Sequence, residues 1–249
     1  MPTLKIPDGE LYYEVHGSGY PLMIFAPGGL RSELAFWRHS PSNPSVSAVW
    51  MDPMTVLGEK YRVIAMDQRN AGRSCTRIDA SDDWHTYAGD HLALADRLGL
   101  HRFHVMGGCI GASFCLTLCE LAPNRVSAAI LQNPIGHADN REVFRNLVQN
   151  WAEGIRKKRP EVDERILNRF GQNMFGGDFV FSVSREFVRL CAIPMLVMPG
   201  DDPPHPKVIG EEIAELAPNN EVLREWKGPD YLQSAIDRVT QFLDRHTLQ

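Results

Sequence analysis

The chain has no apolar run long enough to span a bilayer. Its first residues, MPTLKIPDGE, lack the basic-then-apolar order of a secretion signal. It has no long basic tract either. The densest cluster, Arg156-Lys157-Lys158-Arg159, is followed at once by Pro160-Glu161 in a chain of net charge −5. That reads as a solvated helix end and argues against a nucleic-acid partner. Cysteine is scarce, at five residues, and none stands at metal-ligand spacing. Neither a zinc site nor a disulfide framework is expected. These absences point to a reduced, cytoplasmic protein with no metal, no cofactor and no membrane partner, acting on a small molecule.

What is present is an ordinary globular composition, 43% hydrophobic and 23% charged over 249 residues, enough to bury a full core without staples. "LKIPDGELYYEV" reads as two antiparallel strands around Pro7-Asp8-Gly9. Continuous apolar runs then recur: "PLMIFAPGG", "YRVIAMD", "FHVMGG", "VSAAILQNP", "IPMLVMPGDD" and, more weakly, "EVLREW". Helix-period segments lie between them, among them "TYAGDHLALADRLGL", "IGASFCLTLCELA", "KVIGEEIAELA" and "DYLQSAIDRVTQFLDRH". Doubly buried strands alternating with helices predict an α/β fold, a mostly parallel sheet with helices on both faces. Two segments interrupt the alternation. Residues 31–60 form a long Ser-, Pro- and Trp-containing connection, expected to lie over the mouth of a site. Residues 135–190 are helical without a buried strand, and read as a cap inserted in a core made of residues 1–134 and 191–249.

Chemistry in a parallel sheet collects beyond the carboxyl ends of its strands. There the sequence places Pro27-Gly28-Gly29-Leu30, then Asp67 to Ser74, then Cys109, then Asn133 to His137, then Asp201, Asp202 and His205. The stretch Gly107-Gly108-Cys109-Ile110-Gly111 is a strand-to-helix turn with a thiol at its apex. A cysteine at a helix N-terminus meets free N–H groups and partial positive charge, which favour the thiolate. The N–H of Ile110, with that of Gly29 or Leu30, is a candidate oxyanion hole. Cys75, Cys115, Cys119 and Cys191 read as ordinary small apolar residues. Trp37, Trp50, Trp84 and Trp151 are candidates for lining an apolar pocket.

Taken in order, the glycine turn, "DQRNAGRS", the G-x-C-x-G elbow, the helical insert and "GDDPPHP" resemble the α/β-hydrolase superfamily over essentially the whole chain. Most members of that superfamily carry serine at the apex. Cysteine occurs there in dienelactone hydrolases, and a GxCxG box also marks the longer polyester synthases. The resemblance implies a nucleophile at Cys109 and an acid at Asp202, with Asp201 as fallback. It makes Asp67 and Arg69 scaffold.

The resemblance also implies a histidine after the last strand, where this chain has "EWKGPDYLQSA", with Asp230 about where the imidazole belongs. His246 follows a helix about 24 Å long and cannot return to the site. Three readings remain. His205, or alternatively His137, serves as the base. Or the thiolate acts without an imidazole, since a thiol needs a base less than a hydroxyl does. Or the chain is a non-hydrolytic protein that binds a small apolar ligand. The leading expectation is acyl transfer from a small ester, lactone or thioester.

Overall fold

The computed structural model describes residues 2–43, 45–48 and 50–248. The strands are β1 (Thr3–Ile6), β2 (Gly9–His16), β3 (Tyr20–Phe25), β4 (Tyr61–Met66), β5 (Cys75–Thr76), β6 (Phe103–Gly108), β7 (Val126–Gln132), β8 (Met195–Met198) and β9 (Asn220–Val222). The helices are α1 (Pro53–Val56), α2 (Trp84–Arg97), α3 (Ile110–Leu121), α4 (Arg141–Lys158), α5 (Glu164–Phe175), α6 (Arg185–Leu190), α7 (Lys207–Leu216) and α8 (Pro229–His246). The sheet runs β1-β2-β4-β3-β6-β7-β8-β9, with β5 added alongside β2. β2 is antiparallel to β1, β4 and β5; every pairing from β4 through β3, β6, β7 and β8 to β9 is parallel. This is the α/β architecture read from the sequence, with one antiparallel edge.

The continuous apolar runs are explained by two cores. Side chains of a strand alternate between faces. Met23 and Phe25 of β3, Val105 of β6 and Leu131 of β7 enter one core, against α2 and α3. Leu22 and Ile24 of β3, Met106 of β6 and Ile130 of β7 enter the other, against α1 and α8. A strand with both faces covered has no wet side, so it shows no polar alternation.

Between β7 and β8 the chain leaves the sheet for α4, α5 and α6, and no strand interrupts them among the described residues. Phe144 and Trp151 of α4 and Phe170 and Phe175 of α5 join the first core. These helices are thus packed on the sheet by aromatic side chains. The "DQRNAGRS" turn after β4 is a polar clamp. Asp67 accepts from Leu34 N at 2.9 Å and from Arg73 N at 2.9 Å. The Arg69 guanidinium donates to Asp8 at 2.7 Å and to Asp90 at 3.0 Å. Arg69 thereby ties the β1–β2 turn to α2 behind the sheet.

Candidate active site

β6 ends at Gly108 and α3 begins at Ile110, so one residue makes the whole connection. Cys109 makes it at φ 59° and ψ −120°, a conformation that costs a side-chain-bearing residue strain. The glycines on either side are a steric requirement. A Cβ on Gly107 would lie 2.0 Å from the Gly111 carbonyl oxygen, and one on Gly111 would lie 2.2 Å from that of Phe25. The half-buried thiol borders a cavity of about 930 Å³. The main-chain N–H groups of Gly28 and Ile110 both act on its sulfur. The first comes from the expected glycine turn, but one residue before the expected Gly29 and Leu30. Those two open a short 3-10 turn, Gly29–Arg31, and line the same cavity.

His205 lines the same cavity. It lies on the loop between β8 and α7, in the segment Asp202-Pro203-Pro204-His205-Pro206. His205 N donates to Asp202 O at 2.9 Å, closing a turn whose two inner residues are prolines with fixed φ. Within that stiff turn the side chains meet as well, His205 Nδ1 donating to Asp202 Oδ1 at 2.5 Å. A carboxylate only accepts, so Nδ1 carries the proton and Nε2 is left free. Nε2 is buried with no hydrogen-bond partner among the described residues. Resting catalytic pairs commonly sit slightly open and tighten on substrate.

The electrostatics couple these groups. Burial pushes the Cys109 thiol up, but the His205 charge and the Gly28 and Ile110 N–H groups bring it below the ordinary thiol value. Burial lowers His205, and the Cys109 thiolate and Asp202 outweigh it, raising the imidazole to about 9. Burial raises Asp202, yet the hydrogen bond and charge of His205 hold it below the usual carboxylate range. The His205 charge thus holds both the Cys109 thiol and the Asp202 carboxyl below their ordinary values.

The remaining candidates fall elsewhere. His137 Nδ1 pairs with Asp178 at 3.2 Å and is not among the residues lining the cavity. Asp201 pairs with Lys227. Asp230 is exposed in the first turn of α8. Near it the chain buries Trp226, whose indole donates to Pro199 O at 3.0 Å and meets Trp50 edge-on. His246 packs on Phe242. Trp37, Trp50 and Trp151 line the cavity, whereas Trp84 packs on Phe114 and donates to Met174 O at 2.9 Å. The sequence reading missed Trp226 and Gln132 as cavity residues; nothing in a buried-strand pattern marks which terminal side chain looks into a pocket.

The family profile described as alpha/beta hydrolase fold matches residues 21–187, which carry the elbow, the clamp and most of the insert. The chain belongs to the alpha/beta hydrolase fold family. Among curated relatives is "Putative carbamate hydrolase RutD" of Azorhizobium caulinodans. It is 31% identical over 244 residues, covering 98% of this chain and 72% of that protein. A protein of the same name from Variovorax paradoxus is 32% identical over 123 residues, 49% of this chain and 42% of that one. These relatives place the chain among the hydrolases. Solved structures share the fold: a hydrolase from Pseudomonas aeruginosa PA01, at 19% identity and TM-score 0.70 over 97% of both chains, and the enol-lactonase from Burkholderia xenovorans LB400, at 18% identity and TM-score 0.68 over 98% of this chain and 100% of that one. No helix among the described residues of this hydrolase is long and apolar enough to cross a membrane.

Proposed function

We propose that this hydrolase works by acyl transfer through Cys109, on a small ester, lactone or thioester. The observation that carries the reading is the placement of His205, braced by Asp202 at 2.5 Å, beside a thiol whose pKa it lowers. The Cys109 thiolate attacks the substrate carbonyl carbon. The N–H groups of Gly28 and Ile110 receive the oxygen as it takes up charge. The carbon–heteroatom bond then breaks, and the His205 imidazolium gives its proton to the departing group. The neutral imidazole next takes a proton from water as it attacks the thioester carbonyl; the carbon–sulfur bond then breaks, releasing the acid and restoring the thiolate and imidazolium. Asp202 keeps the ring in the tautomer that both steps need.

The cavity supports a substrate with an apolar body. Leu30, Phe36, Ile135, Phe144, Leu147 and Trp151 are among its walls. The name of the Azorhizobium caulinodans relative adds carbamates to the compounds to test, since a carbamate offers the same carbonyl with nitrogen attached. The decisive experiment pairs p-nitrophenyl ester turnover with iodoacetamide labelling. Wild type is expected to turn the ester over and to label fastest at Cys109 of its five thiols. Cys109→Ala is expected to lose at least about 10³-fold in kcat/KM. Full activity in Cys109→Ala, or a native Cys109 that resists labelling, removes the nucleophile from this residue. Ligand-dependent thermal stabilisation without turnover of any ester, lactone, thioester or carbamate makes the chain a binding protein instead.

A further inference from the structure

We propose that Arg31 selects the substrate by pairing with a carboxylate that the acyl chain carries at its far end. The inference rests on the Cys109 reading of the site and narrows its substrates to acyl donors derived from dicarboxylic acids.

Arg31 closes the short turn that begins at the oxyanion donor. Its main-chain N–H donates to Gly28 O at 3.2 Å, so its backbone stands one turn from the amide that acts on the Cys109 sulfur. The same turn is packed against the cavity wall. A Cβ on Gly28 would lie 2.5 Å from the Phe36 ring, and one on Gly29 would lie 2.9 Å from Cδ1 of Leu147. Arg31 lines the cavity as well, and it is exposed. An exposed residue on a cavity wall stands at its mouth, where a ligand atom can reach it.

The charges on that wall single it out. Lys227 pairs with Asp201 and lies over the Trp226 ring, and Asp202 pairs with His205. Arg31 is the one Asp, Glu, Lys or Arg side chain on the wall left without an ion pair among the described residues. The wall carries the cations Arg31 and Lys227 against the single carboxylate of Asp202, in a chain of net charge −5. Such a local excess of positive charge draws an anion to the mouth. A guanidinium matches a carboxylate in charge and in its paired oxygens, whereas a phosphate dianion would leave one charge unanswered. Asn146 and Asn150, one turn apart on α4, are exposed on the same wall and offer further N–H donors. A short methylene chain lying on Phe36 and Leu147 joins the carboxylate to the scissile carbonyl.

The test compares the mono-p-nitrophenyl ester of adipic acid with the p-nitrophenyl ester of adipamic acid, which differ only by carboxylate against carboxamide. Each rate is corrected for spontaneous hydrolysis, including attack by the substrate's own carboxylate. Wild type is expected to favour the acid by about fivefold in kcat/KM, the scale of one ion pair at a solvated rim. Arg31→Gln is expected to bring that ratio down about fivefold, and Arg31→Glu to take it below one. Arg145→Gln, which removes an exposed cation of α4 that is not on the cavity wall, is expected to leave the ratio unchanged. Raising the ionic strength from about 0.01 M to about 0.15 M shortens the screening length from about 30 Å to about 8 Å and should shrink the preference. A binding arm uses adipamic acid and adipamide on Cys109→Ala, with the acid expected to bind about fivefold more tightly. Equal kcat/KM for the two esters overturns the inference, as does a ratio that Arg31→Gln leaves unchanged or that Arg145→Gln lowers as far. Where neither ester turns over, equal dissociation constants overturn it. If neither ester turns over but the acid binds selectively, the acyl-transfer reading falls and the recognition by Arg31 stands.

Discussion

His205 and Asp202 are three residues apart on one loop, and their side chains close on each other at 2.5 Å, Nδ1 to Oδ1. In the resemblance read from the sequence, the acid and the base come from loops after two different strands. Here Asp202 and His205 share one proline-stiffened turn, and a buried tryptophan, Trp226, follows β9. The geometry is local, so it depends on few other parts of the molecule.

The first consequence concerns pH. Cys109 lies below its ordinary value and His205 is raised to about 9. The thiolate forms as pH rises through the depressed thiol value, and the imidazolium is lost as pH rises through about 9. The acylation rate should therefore climb, level off and fall again near 9. Asp202 is one of the groups that hold the imidazole up, so Asp202→Asn should move the alkaline limb to lower pH. The check is kcat/KM against pH for both proteins; an alkaline limb that stays in place in Asp202→Asn separates Asp202 from the base.

The two candidate bases should differ sharply. His205→Ala is expected to lose about 10²–10⁴-fold in kcat/KM, the usual contribution of a general base. His137→Ala, which breaks a pair with exposed Asp178 outside the cavity, should stay within about threefold. Losses under tenfold in both would point to a site that works without an imidazole.

Gly28 adopts φ +120°, and a Cβ there would lie 2.5 Å from Cδ2 of the Phe36 ring. Gly28→Ala should turn its N–H away from the sulfur. The expected outcome is a drop of about 10²–10³-fold in kcat with KM little changed, as for loss of one oxyanion donor. Equal losses in kcat and gains in KM would instead mean a distorted pocket.

At the elbow, Gly107→Ala and Gly111→Ala set a methyl group against main-chain oxygens, which cannot swing aside. Both variants should fail to give soluble folded protein, or melt far below wild type. Thermal melting that matches wild type would mean the turn is looser than described.

Arg69 is 7% exposed and faces the carboxylates of Asp8, Asp82 and Asp90. Burial raises Asp90 to about 6, above its unfolded value of 3.8, although Arg69 opposes the rise. Arg69→Met leaves three acids without their cation and should cost about 3–5 kcal/mol near neutral pH. The sign follows from linkage: a group raised above its unfolded value gains stability as pH falls through its folded value. Removing Arg69 raises Asp90 further, so the deficit should shrink on acidification. Denaturant melts at pH 8 and pH 5 check both statements.

The sheet was legible because it is made by short-range rules. Doubly buried strands such as "LMIF" and "VIAM" cannot be anything wet, and "GGCIG" allows little but a tight strand-to-helix turn. The site was legible only where a motif fixed a position. Cys109, Asp202 and His205 were each candidates in the sequence, and they line one cavity because of where the loop after β8 lies relative to the start of α3. Gly28, one residue before the Gly29 and Leu30 read from the sequence, has its N–H on the Cys109 sulfur, and all three line the same cavity. His137 looked equivalent to His205 in one dimension and is drawn instead to Asp178 of the insert.

The order of elements, the two-sided burial of the strands and the thiol at the elbow were set by the sequence alone, through side-chain period and the steric demands of glycine. That His205 rather than His137 borders the same cavity as Cys109, and that the Gly28 and Ile110 amides act on the sulfur, were decided only by the tertiary structure. Those relations join residues tens of positions apart, and only the packing of β6, β7 and the loop after β8 brings them within a few ångströms.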